Sequence, residues 1–306
     1  MVASPPGPQA APDTAATDAG GGLVAVPHTY NGEFAMRKPI TMLLAAAGGL
    51  VVSAALAATA VAAPAGYQIV NDPGIPAPPG ILDSDSQVSC PTGTVPWGGG
   101  IAANPFLKNM TINTTASTGD GWQGRVNNPD GQGGTFTIDA ICAKKPTGYT
   151  TVITWVDNPP GARTVATAVC PANTVVLSGG TASTSDVAGV RMLGAWPTST
   201  RAFRAVALNS TATDAQLMAE ALCAAKPRGY TIARSSLVEN PMTLDFGGVS
   251  CPAPKIEIGG GIHITGGDST ALIHSSIENS ATPGWNNDIT TGSVPLTLSF
   301  SSICVA

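Results

Sequence analysis

Pro64-Ala65-Gly66-Tyr67, Pro146-Thr147-Gly148-Tyr149 and Pro227-Arg228-Gly229-Tyr230 are one phrase, Pro-x-Gly-Tyr, written three times. The tyrosines stand 82 and then 81 residues apart, and 76 residues follow the third. Each is followed by a Cys-Pro (Cys90-Pro91, Cys170-Pro171, Cys251-Pro252), a glycine cluster, and a second cysteine (Cys142, Cys223, Cys304). Self-similarity at a fixed period reveals architecture before any local motif does. The chain therefore reads as three copies of one module: 64–147, 148–228 and 229–306.

The segment ending at each second cysteine alternates. Phe136, Ile138, Ala140 and Cys142 share one face, with Thr135, Thr137 and Asp139 opposite; Leu296, Leu298, Phe300, Ser302 and Cys304 repeat the pattern. Period two predicts a strand with one buried side. Residues 215–222 have good helix-forming composition, but equivalence to the other copies predicts a strand there too. Strands are also expected after each Gly-Tyr, before each Cys-Pro, after each glycine cluster, and around Trp122, Phe203 and Trp285. Five or six short strands per copy, with Gly, Asn, Asp and Pro at the turns, predict an all-β fold. The expected form is three tandem antiparallel sandwich-like or prism-like repeats about a pseudo-threefold axis, with beads on a string as the alternative.

Composition agrees. There are 36 glycines and 26 prolines among 306 residues, 11% charged residues and a net charge of −5. From Pro64 onward 12 Lys/Arg face 16 Asp/Glu, well mixed, so the clustered positive charge that phosphate backbones require is absent and nucleic acid is excluded as a partner. Met36-Arg37-Lys38, the apolar run from Ile40 to Leu56, and the small-x-small sequences at Ala58-Thr59-Ala60 and Ala60-Val61-Ala62 form an export signal over 36–63. Cleavage there leaves three copies and no membrane segment; a membrane anchor through residues 40–62 is the competing reading. Residues 1–35 are Pro/Gly/Ala-rich without periodicity, as expected for disorder or for a start upstream of a true initiator at Met36.

Export implies an oxidising compartment and disulfides. Two connectivities respect the threefold pattern. One pairs within copies (Cys90–Cys142, Cys170–Cys223, Cys251–Cys304); the other pairs Cys142–Cys170 and Cys223–Cys251, with Cys304 returning to Cys90. The first is preferred because it makes each repeat self-sufficient. Without Cys-x-x-Cys, and with only His263 and His274 after the signal, the cysteines are not expected to bind metal, and no cofactor is expected.

Gly98-Gly99-Gly100, Gly179-Gly180 and Gly259-Gly260-Gly261 lack the Lys-Ser/Thr of a phosphate loop and point to bulges or close backbone approach between two strands. His263, Asp268, Ser269 and His274 supply hydrolase-type groups in one segment of the third copy, without a nucleophile elbow. Asp139 and Glu220 are equivalent, but the third copy has Ser301, so they read as solvent-facing strand residues. Trp122, Phe203 and Trp285 recur, as do Tyr67, Tyr149 and Tyr230. Three recurring rings are candidate sugar-stacking sites or plugs between sheets. Trp97, Trp155 and Trp196 do not recur and are the more surface-specific positions.

Cys90-Pro91-Thr92-Gly93-Thr94-Val95, Gly98-Gly99-Gly100, Gly121-Trp122 and Ala140-Ile141-Cys142-Ala143 resemble a module common in secreted proteins of actinobacteria and their phages. The resemblance covers nearly all of residues 64–306 and is best in the first copy. It departs at Ser178-Gly179-Gly180, Ala202-Phe203, Ala221-Leu222-Cys223 and Ser302-Ile303-Cys304. It implies an extracellular β module with paired cysteines, and it brings no assigned activity and no catalytic residue. The function expected is a secreted, non-enzymatic binding protein for a glycan or cell-envelope polymer. A hydrolase using the His263–His274 segment and a structural surface protein are the alternatives, with oligomeric state open.

Overall fold

In the computed structural model, each Pro-x-Gly-Tyr closes a four-residue turn. The Tyr67 amide donates to the Pro64 carbonyl at 2.9 Å, and Tyr149 to Pro146 and Tyr230 to Pro227 at 3.3 Å each. Gly66, Gly148 and Gly229 sit at φ of +73°, +68° and +67°. That region suits the third position of such a turn and is costly for residues with a Cβ. The structure describes residues 63–103, 109–185, 189–267, 270–279 and 283–306. Residues 1–35, the expected export signal up to residue 62 and the alternative anchor at 40–62 lie outside the described residues, as do Asp268 and Ser269.

Every regular element among the described residues is a strand, six to a repeat. The first copy holds β1 (Gln68–Ala77), β2 (Ser84–Ser89), β3 (Val95–Ala103), β4 (Thr111–Ser117), β5 (Gly121–Asn127) and β6 (Gly134–Ala143). The second holds β7 (Thr150–Asn158), β8 (Arg163–Val169), β9 (Val175–Ser183), β10 (Val190–Pro197), β11 (Ala202–Asn209) and β12 (Ala215–Ala224). The third holds β13 (Thr231–Glu239), β14 (Leu244–Ser250), β15 (Ile256–Gly266), β16 (Leu272–Glu278), β17 (Gly284–Thr290) and β18 (Leu296–Val305). The helix-prone stretch within β12 is a strand, paired on one side with β7 and on the other with β9. Two full ladders outweigh local propensity. Pro73 and Pro76 are tolerated in β1 because it is an edge strand with a bulge between Asp72 and Ile75.

The strands form three antiparallel six-stranded sheets, ordered β1-β6-β3-β16-β17-β14, β2-β5-β4-β9-β12-β7 and β13-β18-β15-β10-β11-β8. No sheet belongs to one repeat. Strands one, six and three of each copy share a sheet with strands four, five and two of a neighbour, and the third copy returns to the first. The repeats therefore close into a prism-like threefold ring. Of the two forms expected, the prism-like one is present: one repeat contributes half of two sheets.

Within-repeat disulfides are present, Cys90–Cys142, Cys170–Cys223 and Cys251–Cys304. Their role differs from self-sufficiency. The first cysteine of each pair directly follows an edge strand of one sheet, and the second lies in a strand of the next. Each bridge thus staples two sheets, and the three link all the sheets in a ring. Each closes a loop of 52 or 53 residues, a contribution on the order of 4 kcal/mol by chain entropy. Formed disulfides fit an oxidising, extracellular setting. Among the described residues no helix is long and apolar enough to cross a membrane.

The glycine clusters lie inside β3, β9 and β15 rather than between two strands. Ladder register shifts beside them, between Pro96 and Gly98 and between Glu257 and Gly259. A Cβ at Gly99, Gly179 or Gly260 would run into Trp122, Phe203 or Trp285 respectively. A Cβ at Gly100, Gly180 or Gly261 would strike the neighbouring repeat's backbone at Ser276, Thr115 or Ala195. The clusters are where rings lie flat on backbone and where copies meet.

Candidate functional site

Trp122, Phe203 and Trp285 are 0%, 1% and 2% exposed. They are core plugs, so the expectation that they present sugar-stacking faces is corrected: each ring is spent on a glycine of β3, β9 or β15. The Trp122 Nε1 donates to the Thr115 hydroxyl and the Trp285 Nε1 to the Ser276 hydroxyl, each at 2.9 Å. The recurring tyrosines are clasps. Tyr67 donates its hydroxyl to the Glu257 carbonyl (3.1 Å), Tyr149 to Pro96 (2.6 Å) and Tyr230 to Val176 (2.7 Å), each reaching the third strand of the adjoining copy. Of the three unrepeated tryptophans, Trp97 and Trp196 are buried and only Trp155 is substantially exposed. Trp155 stands on edge strand β7, where alternation puts Ile153 and Asp157 on its face.

The histidines are not brought together as a hydrolase would need. His263 lies on β15 and stacks on Trp196 with centroids 4.0 Å apart. His274, on β16 of another sheet, is fully buried, its Nε2 2.7 Å from the Thr290 hydroxyl. Burial lowers both to about 4, with Arg163 and Arg204 adding to the effect at His263. Asp139 and Glu220 are not solvent-facing as the alternation suggested. Both are buried, because they sit beside Gly100 and Gly180, where the next repeat covers them.

One outward concavity departs from the threefold pattern. It encloses about 320 Å³ on the β14–β17 face of the third copy. Phe246, 65% exposed, stands at its edge. Gly247 and Gly248 form the floor, and Asn279, Asn286 and Asp288 supply polar groups. The floor is glycine for a packing reason: a Cβ at Gly247 would enter the Phe300 ring, and one at Gly248 would strike the Trp285 carbonyl. Asn279 donates to Asn286 Oδ1 at 3.3 Å. Burial raises the Asp288 carboxyl above the usual carboxylate range.

The other copies carry different residues at the equivalent positions. Ladder registry equates Phe246 opposite Asp288 with Asp85 opposite Arg125 and Val165 opposite Val206. Ser86-Gln87 and Ala166-Thr167 stand where the third copy has its two glycines. Arg125 is drawn to Asp83 at 2.8 Å. Sequence reasoning missed the site; the glycine pair unique to one copy was the available signal. A wider groove of about 630 Å³, lined by residues including Asp157, Asp214 and Gln216, has no aromatic wall among the described residues.

Architecture and site together define a class: a disulfide-stapled, threefold all-β ring with one asymmetric surface concavity. Compared with protein-family models and with curated proteins, the chain matches none.

Proposed function

We propose that the chain is a secreted, non-enzymatic β-repeat protein that binds a glycan of the cell envelope or environment through its third copy. The observation that carries this reading is Phe246, an exposed ring beside a glycine-floored concavity lined by amide and carboxyl groups. An aromatic face takes the C–H side of a sugar, while Asn and Asp groups pair with its hydroxyls. About 320 Å³ suits one or two sugar rings. The charge lining the concavity is the Asp288 carboxyl, which repels uronate or phosphate, so a neutral or amino sugar is the fitting ligand.

The test is binding of residues 64–306 to isolated cell wall and to an array of neutral, amino and acidic glycans. Retention on a neutral or amino glycan, weakened about tenfold by Phe246→Ala (~1.4 kcal/mol) and unchanged by Trp155→Ala, is expected. Retention on no glycan at all would sink the reading. Loss with Trp155→Ala instead would move the site to β7.

A further inference from the structure

The three seams where a third strand meets a neighbour's fourth are short, with two register pairs each: Ala102–Ser275 and Ile101–Ser276, Thr114–Ala182 and Thr115–Thr181, Gly194–His263 and Ala195–Ile262. Equivalent positions beside them carry different chemistry. At the β9–β4 seam Ser117 gives its hydroxyl (2.5 Å) and its amide (2.8 Å) to Glu220, so that buried carboxylate is satisfied. At the β15–β10 seam Ser301 replaces the acid. There Arg234 donates to Ser301 Oγ at 3.3 Å and to the Pro197 carbonyl at 2.9 Å.

The β3–β16 seam closes the ring between the first and third copies, and it pairs two acids. Asp139 from β6 and Glu278 from β16 lie within hydrogen-bonding reach. Glu257 of β15, beside the Tyr67 hydroxyl, is close enough to feel the charge of Glu278. Asp139, Glu257 and Glu278 are 4%, 4% and 8% exposed. Asp139 Oδ1, Glu257 Oε2 and Glu278 Oε2 are buried without a hydrogen-bond partner. Among the described residues no cation acts on them. β1 places Asn71 opposite Asp139 with Asp72 next to it, β3 presents Gly100, and β17 sets Trp285 opposite Glu278. Glu278 is the charge that acts on both Asp139 and Glu257, while backbone amides and the Tyr67 hydroxyl partly offset the rise at Glu257.

We propose that this seam is a proton-binding site that locks the ring: protons shared among Asp139, Glu278 and Glu257 hold the first and third repeats together, and their loss opens the β3–β16 ladder. Like charges so close in a buried site cannot all ionise. Burial first, then Glu278, raises Asp139 to about 7; burial raises Glu257 to about 7, and it raises Glu278 as well. Folded values above the unfolded value of about 4 mean stability that is full below that value and lost as pH climbs to about 7. The buried histidines act oppositely, losing stability as pH falls from about 6.5 towards 4. The overall pH curve therefore mixes the two, and a local readout is needed.

Hydrogen exchange of residues 64–306, corrected for the chemical rate, would be compared at pH 5 and pH 8. Opening at Ile101, Ala102, Ser275 and Ser276 is expected to rise at least tenfold. Thr114, Thr115, Thr181 and Ala182 of the serine-satisfied seam should rise much less. Glu278→Gln should remove the difference. Glu278→Ser, which copies Ser117, gives a second variant with a donor for Asp139 and should also suppress the opening. Equal responses at the two seams, or a rise that persists in both variants, would overturn the proposal.

Discussion

Trp122 and Trp285 each bring an indole N–H into the core, and each finds a hydroxyl on the fourth strand of its own repeat, Thr115 and Ser276. In the second copy the ring is Phe203, which has no N–H, and the residue matching Thr115 and Ser276 is Ala195. Ring and partner change together, as expected if an unmatched buried donor or hydroxyl costs about 1–3 kcal/mol. Trp285→Phe should therefore destabilise the protein through a stranded Ser276 hydroxyl and a smaller ring. Trp285→Phe with Ser276→Ala, which restores the second copy's solution, should recover about 1 kcal/mol of that loss. Chemical denaturation with disulfides intact measures both. Strict additivity of the two substitutions would show that the hydrogen bond contributes nothing to stability.

The third strand of each repeat carries most of the architecture: β3, β9 and β15 each pair with their own sixth strand and with a neighbour's fourth, and each accepts a clasping tyrosine. Tyr149→Phe keeps the ring and removes only the hydroxyl bond to Pro96, so a loss of about 1 kcal/mol is expected. An unchanged unfolding midpoint would reduce the clasp to ring packing. The strands were legible because Phe136-x-Ile138-x-Ala140 alternates and because the copies agree on it, enough to overrule the helix-prone 215–222. Partner choice was not legible. A period equates Thr115 with Ser276 but is silent on which copy supplies the opposite strand, so β4 pairing with β9 looks no different from a hairpin within one repeat. The buried acids were missed for the same reason. Asp139 alternates with apolar residues as a solvent-facing residue does, and the cover over it belongs to a neighbour. The concavity was hidden because Phe246 and Asp288 meet only across the β14–β17 ladder.

Because the sheets are shared around the ring, the seams decide how much of the chain is needed to fold. A single copy holds two disulfide-linked half-sheets whose inner faces lack their complements, so it should show no cooperative unfolding as a monomer. A bead that folds alone would contradict the shared-sheet ring outright. Three identical copies can in principle rebuild the ring, and seam chemistry says which will. Copies of the first repeat would set Asp139 beside Ser117, the same acid–serine match that Ser117 makes with Glu220. Copies of the second would set Glu220 beside Pro197, a buried carboxyl against a residue with no donor, at a cost of several kcal/mol per ring. Residues 64–147 alone should therefore gain β structure with rising concentration as a trimer, whereas residues 148–228 should stay unfolded. Light scattering and circular dichroism across a concentration series would report both. Trimers of the second copy as stable as those of the first would show that packing alone closes the ring and that the seam residues do not select their partners.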